Sequence, residues 1–151
     1  MKAIDFEILA HIRRDAGKPV PKISKETGIP NSTIYEKINR QFRHIVKRRA
    51  ALVDFSKLGF HSIVMFAISC REGTREEVRQ FLIEHPRINT LHRINFGWDF
   101  LAEGIFRNLG EAEDFKAHLK EAFSPSAIEG FSVVEELKRE QFLTSAEHVN
   151  K

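Results

Sequence analysis

Between residues 31 and 49 the chain carries side chains of the kinds that hold polyanions and read base edges. Ser32, Thr33, Glu36, Arg40 and Arg43 share one face of a helical repeat that turns Ile34, Ile38 and Phe42 the other way. A guanidinium at Arg40 matches the two acceptors of a guanine edge, and a carboxylate at Glu36 can accept from a cytosine amine. The hydroxyls of Ser32 and Thr33, near the start of the helix, suit phosphates. Asn31 opens this stretch, Lys37 lies at the edge of the polar face, and Tyr35 falls between the two faces. Lys47, Arg48 and Arg49 follow as a basic run suited to a sugar-phosphate backbone.

Charge points the same way. Residues 1–50 hold 12 lysines and arginines against 5 acids, a balance of +7, whereas residues 51–151 hold 12 against 16, a balance of −4. The overall +3 hides this division. A basic third of this size is the footprint of a phosphate-binding surface, because neutralising phosphates releases condensed counterions. The expected partner is double-stranded DNA.

Other chemistries find little support. The seven histidines, at 11, 44, 61, 85, 92, 118 and 148, show neither a helical i, i+4 pair nor a metalloprotease spacing, and no glycine-rich phosphate loop occurs. No nucleophile stands beside a base, so no catalytic residue, metal site or cofactor is expected. The single cysteine, Cys70, lies among Met65, Phe66 and Ile68 and reads as a small core residue. No apolar run approaches the roughly 18 residues of a membrane span, and the N-terminus lacks a secretory pattern. The expected location is the cytoplasm.

The elements that must position these residues are written in periodicity and punctuation. Residues 5–16 place Ile8, Leu9 and Ile12 on one stripe, with Asp5, Glu7, Arg13 and Arg14 as charges around it. A second helix begins near Pro21 and stops at Gly28, and a third begins after Pro30, which makes a helix-turn-helix. Residues 46–55 read as extended chain, and 61–71 as a strand. Residues 74–85 read as a helix with Thr74 and Glu77 as a capping box. Residues 88–95 and 98–107 form a hairpin around Phe96-Gly97, residues 109–124 a helix, and 128–142 a last strand. The order is β-α-β-β-α-β, the ferredoxin-like arrangement with helices on one sheet face. Phe66, Phe100 or Trp98, Phe106 and Phe131 exceed what a two-layer domain this small can bury, so the bare face is expected to pair with a second subunit.

The fold class is therefore α+β. A helix-turn-helix domain of winged-helix-like kind spans 1–45, a linker strand 46–59, a ferredoxin-like ligand-binding and assembly domain 60–142, and a loose tail 143–151.

Four segments together, IDFEIL, ISKETGIPNSTIYEKI, DFSKLGF and WDFL, resemble the Lrp/AsnC feast/famine transcription regulators over residues 4–142. The resemblance implies a sequence-specific DNA-binding regulator that forms a homodimer through its sheets and assembles further into tetramers or octamers. It also implies a small-molecule effector such as an amino acid. Asn95, Phe96, Gly97, Trp98 and Asp99 fall where that family's effector loop lies. Three departures matter: the glycine that usually follows the third helix is missing from QFRHIVKRR, and two more fall at Pro30 and Phe96. Pro30 stands where the family has a small hydroxyl residue, which leaves Asn31 as the expected helix cap, and Phe96 stands where the hairpin glycine would be. The alternative carried by the same architecture is a siroheme decarboxylase-like enzyme.

Overall fold

The computed structural model describes residues 1–149 and divides them into two compact units. One comprises Met1–Leu52 together with the segment that starts at Leu137; the other is Val53–Glu136.

The N-terminal unit is built on α1 (Ala3–Arg14), α2 (Val20–Thr27) and α3 (Asn31–Glu36). α3 runs on into a single π turn, Lys37–Gln41, and a 3-10 turn, Phe42–His44. Ile8, Leu9 and Ile12 of α1 close a core with Ile23, Ile29, Ile34 and Phe42. Gly28 ends α2 in the left-handed conformation, φ 72°, with its N–H bonded to the Ser24 carbonyl 2.8 Å away, and so makes the sharp turn before Pro30. Asn31 does not cap the third helix. Pro30 occupies the cap position, and no side chain accepts there.

The π turn explains the spacing of the core residues. At 3.6 residues per turn, each four-residue step overshoots by about 40°, so Ile34, Ile38 and Phe42 would drift by about 80° along an ideal helix. Phe42 N–H bonds instead to the Lys37 carbonyl five residues back, and the wider turn returns Phe42 to the core at 1% exposure.

The second unit is a four-stranded antiparallel sheet of order β2-β3-β1-β4. Its strands are β1 (Ser62–Ser69), β2 (Ile88–Arg93), β3 (Phe100–Phe106) and β4 (Ala127–Ser132), with α4 (Arg75–Glu84) and α5 (Leu109–Phe123) between them. Asn108 caps α5 by accepting from Glu111 N–H at 3.0 Å. Val64, Phe66 and Ile68 of β1 and Phe100, Ala102 and Phe106 of β3 meet Val78 and Leu82 of α4 and Phe115 and Leu119 of α5. Phe66, Phe100 and Phe106 all fit inside, Trp98 is half-buried, and Phe131 is left out at 59% exposure.

Several expectations are corrected. Residues 46–54 form neither helix nor strand, and Phe55–Leu58 is a 3-10 turn, so there is no linker strand. Thr74 makes no capping box; its hydroxyl donates to the Arg71 carbonyl at 3.0 Å. The last strand stops at Ser132, short of the expected end at residue 142, and in its register β1 offers it only two further residues, Ile63 and Ser62. Val64 pairs with Ser132, Val133 N–H still reaches the Ile63 carbonyl, and β1 begins at Ser62. The residues after 142 are not a loose tail. Arg14 donates to the Thr144 carbonyl at 2.7 Å and Leu143 packs on the N-terminal core, while Arg13 pairs just before them with Glu140. Asn150 and Lys151 of the expected tail lie outside the described residues.

Gly104 on β3 holds a close approach. A Cβ there would stand 2.8 Å from Phe106 Cζ, and that ring is wedged edge-on against Phe66 at 6.1 Å and against Phe115 at 5.7 Å. Gly104→Ala is expected to destabilise this unit by about 2 kcal/mol through overpacking, read as a lower midpoint in a urea melt followed by Trp98 fluorescence. An unchanged midpoint would mean that the ring swings aside freely.

Candidate nucleic-acid interface

The outward face of the third helix is set by its core line. With Ile34 and Phe42 buried, Ser32, Glu36 and Arg40 stand opposite them, all exposed. Arg40 contacts Glu36 across one turn at 3.5 Å, with side chains 82% and 66% exposed. Such a pair contributes little to stability and exchanges readily for another partner. Asn31 and Tyr35 are also exposed, and Thr33 is partly covered.

Arg43, Lys47, Arg48 and Arg49 are exposed and have neither an ion-pair nor a hydrogen-bond partner among the described residues. They are the free cations of the face. Arg43, Arg48 and Arg49 rim, with Asn39, an open groove of about 520 Å³ whose floor is Ile12, Ile38, Phe42 and Val46. The chain after the 3-10 turn thus runs back beside the helix and adds its charges to it.

Lys37 is elsewhere. Its ammonium pairs with the buried carboxylate of Asp5 and reaches Gln41 Oε1 at 3.2 Å, so it faces inward and is not available to a ligand. Asp5, expected on the surface, is 1% exposed and is the sole buried charged residue among those described. It also accepts from Lys2 N–H at 2.7 Å. The hydrogen bond from Lys37, against the opposing cost of burial and with help from the Lys2 amide, holds the Asp5 carboxyl below its ordinary value of 3.8. The contrast between apolar Ile8 and a charge at Asp5 was legible in sequence; its partner 32 residues away was not.

Sequence reasoning also passed over four exposed polar residues of this unit. Lys22 and Lys25 on α2, and Asn39 and His44 beyond the third helix, are all exposed, and the two lysines add to the positive charge of this unit. The signal for Lys22 and Lys25 was their three-residue spacing on a short helix whose inner residue is Ile23.

In the second unit, Asn95 to Asp99 form a tight turn between β2 and β3. Phe96 and Gly97 both take positive φ, 58° and 86°, and Ile94 N–H closes the loop to the Asp99 carbonyl at 3.0 Å. Phe96 is 94% exposed at the tip, and Trp98 is half-buried. Asp99 is already committed. It accepts from Cys70 N–H at 2.7 Å and from Arg75 Nε at 2.6 Å. Burial opposes its ionisation, and these two donors outweigh it, so its carboxyl lies below the ordinary range. The same burial pushes the half-covered Cys70 thiol up to about 11. Asp99 therefore pins the turn to the end of β1 and the start of α4, and the side chains of Asn95, Phe96 and Trp98 make no hydrogen bond or ion pair among the described residues.

No group of three or more His, Cys, Asp or Glu side chains is placed to hold a metal among the described residues, and no described helix is long and apolar enough to cross a membrane. A helix-turn-helix unit whose basic face is unpaired among the described residues, and a βαββαβ sheet unit, define a two-domain helix-turn-helix architecture.

Comparison with known proteins agrees with that architecture. No family model matches the chain. It is 28% identical over 113 residues to the HTH-type transcriptional regulator FL11 of Pyrococcus furiosus, covering 74% of this chain and 75% of that protein. It is 23% identical over 151 residues to the glutamate uptake regulatory protein of Zymomonas mobilis, covering 97% and 92%. Among solved structures, LrpC of B. subtilis superposes with a TM-score of 0.83 at 17% identity, over 91% of this chain and 97% of that one. A transcriptional regulator of Neisseria meningitidis in complex with L-Met gives 0.85 at 15% identity, over 92% and 93%. The chain has the fold of the Lrp/AsnC regulators, and the sequence relatives named here are transcriptional regulators. Nothing in these comparisons favours the decarboxylase alternative.

Proposed function

We propose that this chain is a sequence-specific DNA-binding transcriptional regulator of the cytoplasm, reading double-stranded DNA with the third helix and gripping its backbone with the basic run. The observation that carries the reading is the unpaired cluster Arg43, Lys47, Arg48 and Arg49 beside the exposed line of Ser32, Glu36 and Arg40. Cations without partners among the described residues, three of them around one groove, repel one another, and a polyanion is the partner that turns this repulsion into binding energy. Asn31, Thr33 and Tyr35 flank the line. Lys37, held by Asp5, supports the helix from behind and makes no contact with DNA in this reading.

Assembly follows from the sheet. Ile63 and Met65 of β1 are only partly covered, and Phe131 of β4, opposite Met65, is exposed. This apolar face, turned away from α4 and α5, suits a homodimer that carries two reading helices to two half-sites. The turn at residues 95–99 is the place for an effector of the amino-acid class and for contacts that build tetramers or octamers. With Asp99 engaged by Arg75 and Cys70, Asn95 and Trp98 are left to meet such a ligand.

Titration of DNA from upstream of the protein's own gene, at several salt concentrations and against a scrambled duplex, tests the reading. Specific binding with a steep salt slope is expected, and Arg40→Ala should weaken it by about 1 to 3 kcal/mol without changing the slope by more than about one contact. Absence of binding to either duplex at low salt would end the DNA-reader proposal.

A further inference from the structure

We infer that Asn39 is a base-reading residue that selects an adenine, an assignment that rests on the DNA-reading function proposed above. The underwound turn at Lys37–Gln41 keeps side chains four residues apart in line across it. Ile34, Ile38 and Phe42 form the inward line, and Ser32, Glu36 and Arg40 the outward one. A third line, Tyr35, Asn39 and Arg43, runs between the outward line and the returning arginine run; all three are exposed. Asn39 and Arg43 share their groove with Arg48 and Arg49.

Chemistry separates the roles within that groove. Phosphate contacts gain from net charge, because each neutralised phosphate releases counterions, and three guanidiniums at Arg43, Arg48 and Arg49 are there to make them. A neutral carboxamide adds least against phosphate. Against a base edge it is the one side chain here that offers a donor and an acceptor together, which is the complement of adenine N7 and its exocyclic amine. The Asn39 amide has no hydrogen-bond partner among the described residues, so it meets DNA without first breaking a bond. It stands one position before Arg40, and the arginines fix the strand against which it reads.

The test is selection of bound duplexes from a randomised pool by the full chain and by Asn39→Ala, Asn39→Asp and Gln41→Ala. The wild type is expected to return a motif containing an A·T pair whose preference falls about ten-fold or more in Asn39→Ala, with the other positions kept. Asn39→Asp, of the same shape but accepting only, should move the preference at that position toward cytosine, whose exocyclic amine it can accept from. Gln41→Ala, on the line next to Lys37, should return the wild-type motif. If the wild type returns a motif and both Asn39 variants return the same one, this assignment is overturned and the DNA-reading function stands. Uniform weakening at every position in both variants overturns it too, because that is the signature of a phosphate or structural role. A wild type that selects no motif fails the function itself, and this assignment with it.

Discussion

Replacing Lys37 by methionine should cost the N-terminal unit about 3 kcal/mol, more than any exposed substitution on the same helix. Methionine keeps most of the apolar stem but leaves the carboxylate of Asp5, 1% exposed, with only the Lys2 amide at 2.7 Å to stabilise its charge. Asp5→Asn should cost less. The Lys37 stem reaches partly exposed surface, and its ammonium can turn toward water and Gln41, which it already contacts at 3.2 Å. The double variant should recover much of the loss, since removing both charges leaves neither one buried and unpaired.

The sign of the pH dependence follows from the direction of the shift. In the wild type the Asp5 carboxyl is held below 3.8, so its contribution is fully present above that value and is lost as pH falls through the lower folded value. In Lys37→Met, burial acts with little opposition and raises the same group. The variant then gains relative stability on acidification, and the gap between it and the wild type should narrow from pH 7 toward pH 4. Hydrogen exchange of peptides from residues 3–14 and 31–44 reads this directly. A gap independent of pH would mean that the loss is one of packing and not of charge.

Much of this fold was written in local signals. Gly28 and the proline after it mark the turn of the reader domain, the apolar line of Ile8, Leu9 and Ile12 marks its first helix, and Phe96-Gly97 marks the hairpin, because each acts within a few residues of itself. What escaped depends on partners far along the chain. Asp5 looks like a surface charge until Lys37 is folded onto it. The β-branched stretch after Phe131 looks like strand, and only the register shows that β1, which begins at Ser62, could pair with no more than two residues past Ser132. Arg13 and Arg14 read only as charges around the first helix until Glu140 and the Thr144 carbonyl claim them. The candidate site shows the same division. The exposed line of Ser32, Glu36 and Arg40 follows from helical period alone, whereas the placement of Asn39 beside Arg48 and Arg49 needs the π turn and the path of the chain beyond it.

Changing Lys47, Arg48 and Arg49 together to alanine should produce the largest loss of function with the least loss of structure. The three side chains are exposed, lie in chain with no regular structure, and have no partners to lose among the described residues, so folding should change by no more than about 0.5 kcal/mol. Binding should change a great deal. If each cation neutralises one phosphate, the slope of log affinity against log salt should fall by about 2.7, and affinity near 0.1 M salt by between about two and three powers of ten. Because phosphate contacts carry no sequence information, the ratio of specific to scrambled duplex should stay near its wild-type value. Arg40→Ala should do the reverse, lowering that ratio with little change in slope. A triple variant whose slope is unchanged would show the run to be solvated and would leave the grip on the backbone to Arg43, Lys22 and Lys25. That reassignment would turn the DNA toward the second helix and away from the groove that Asn39 lines.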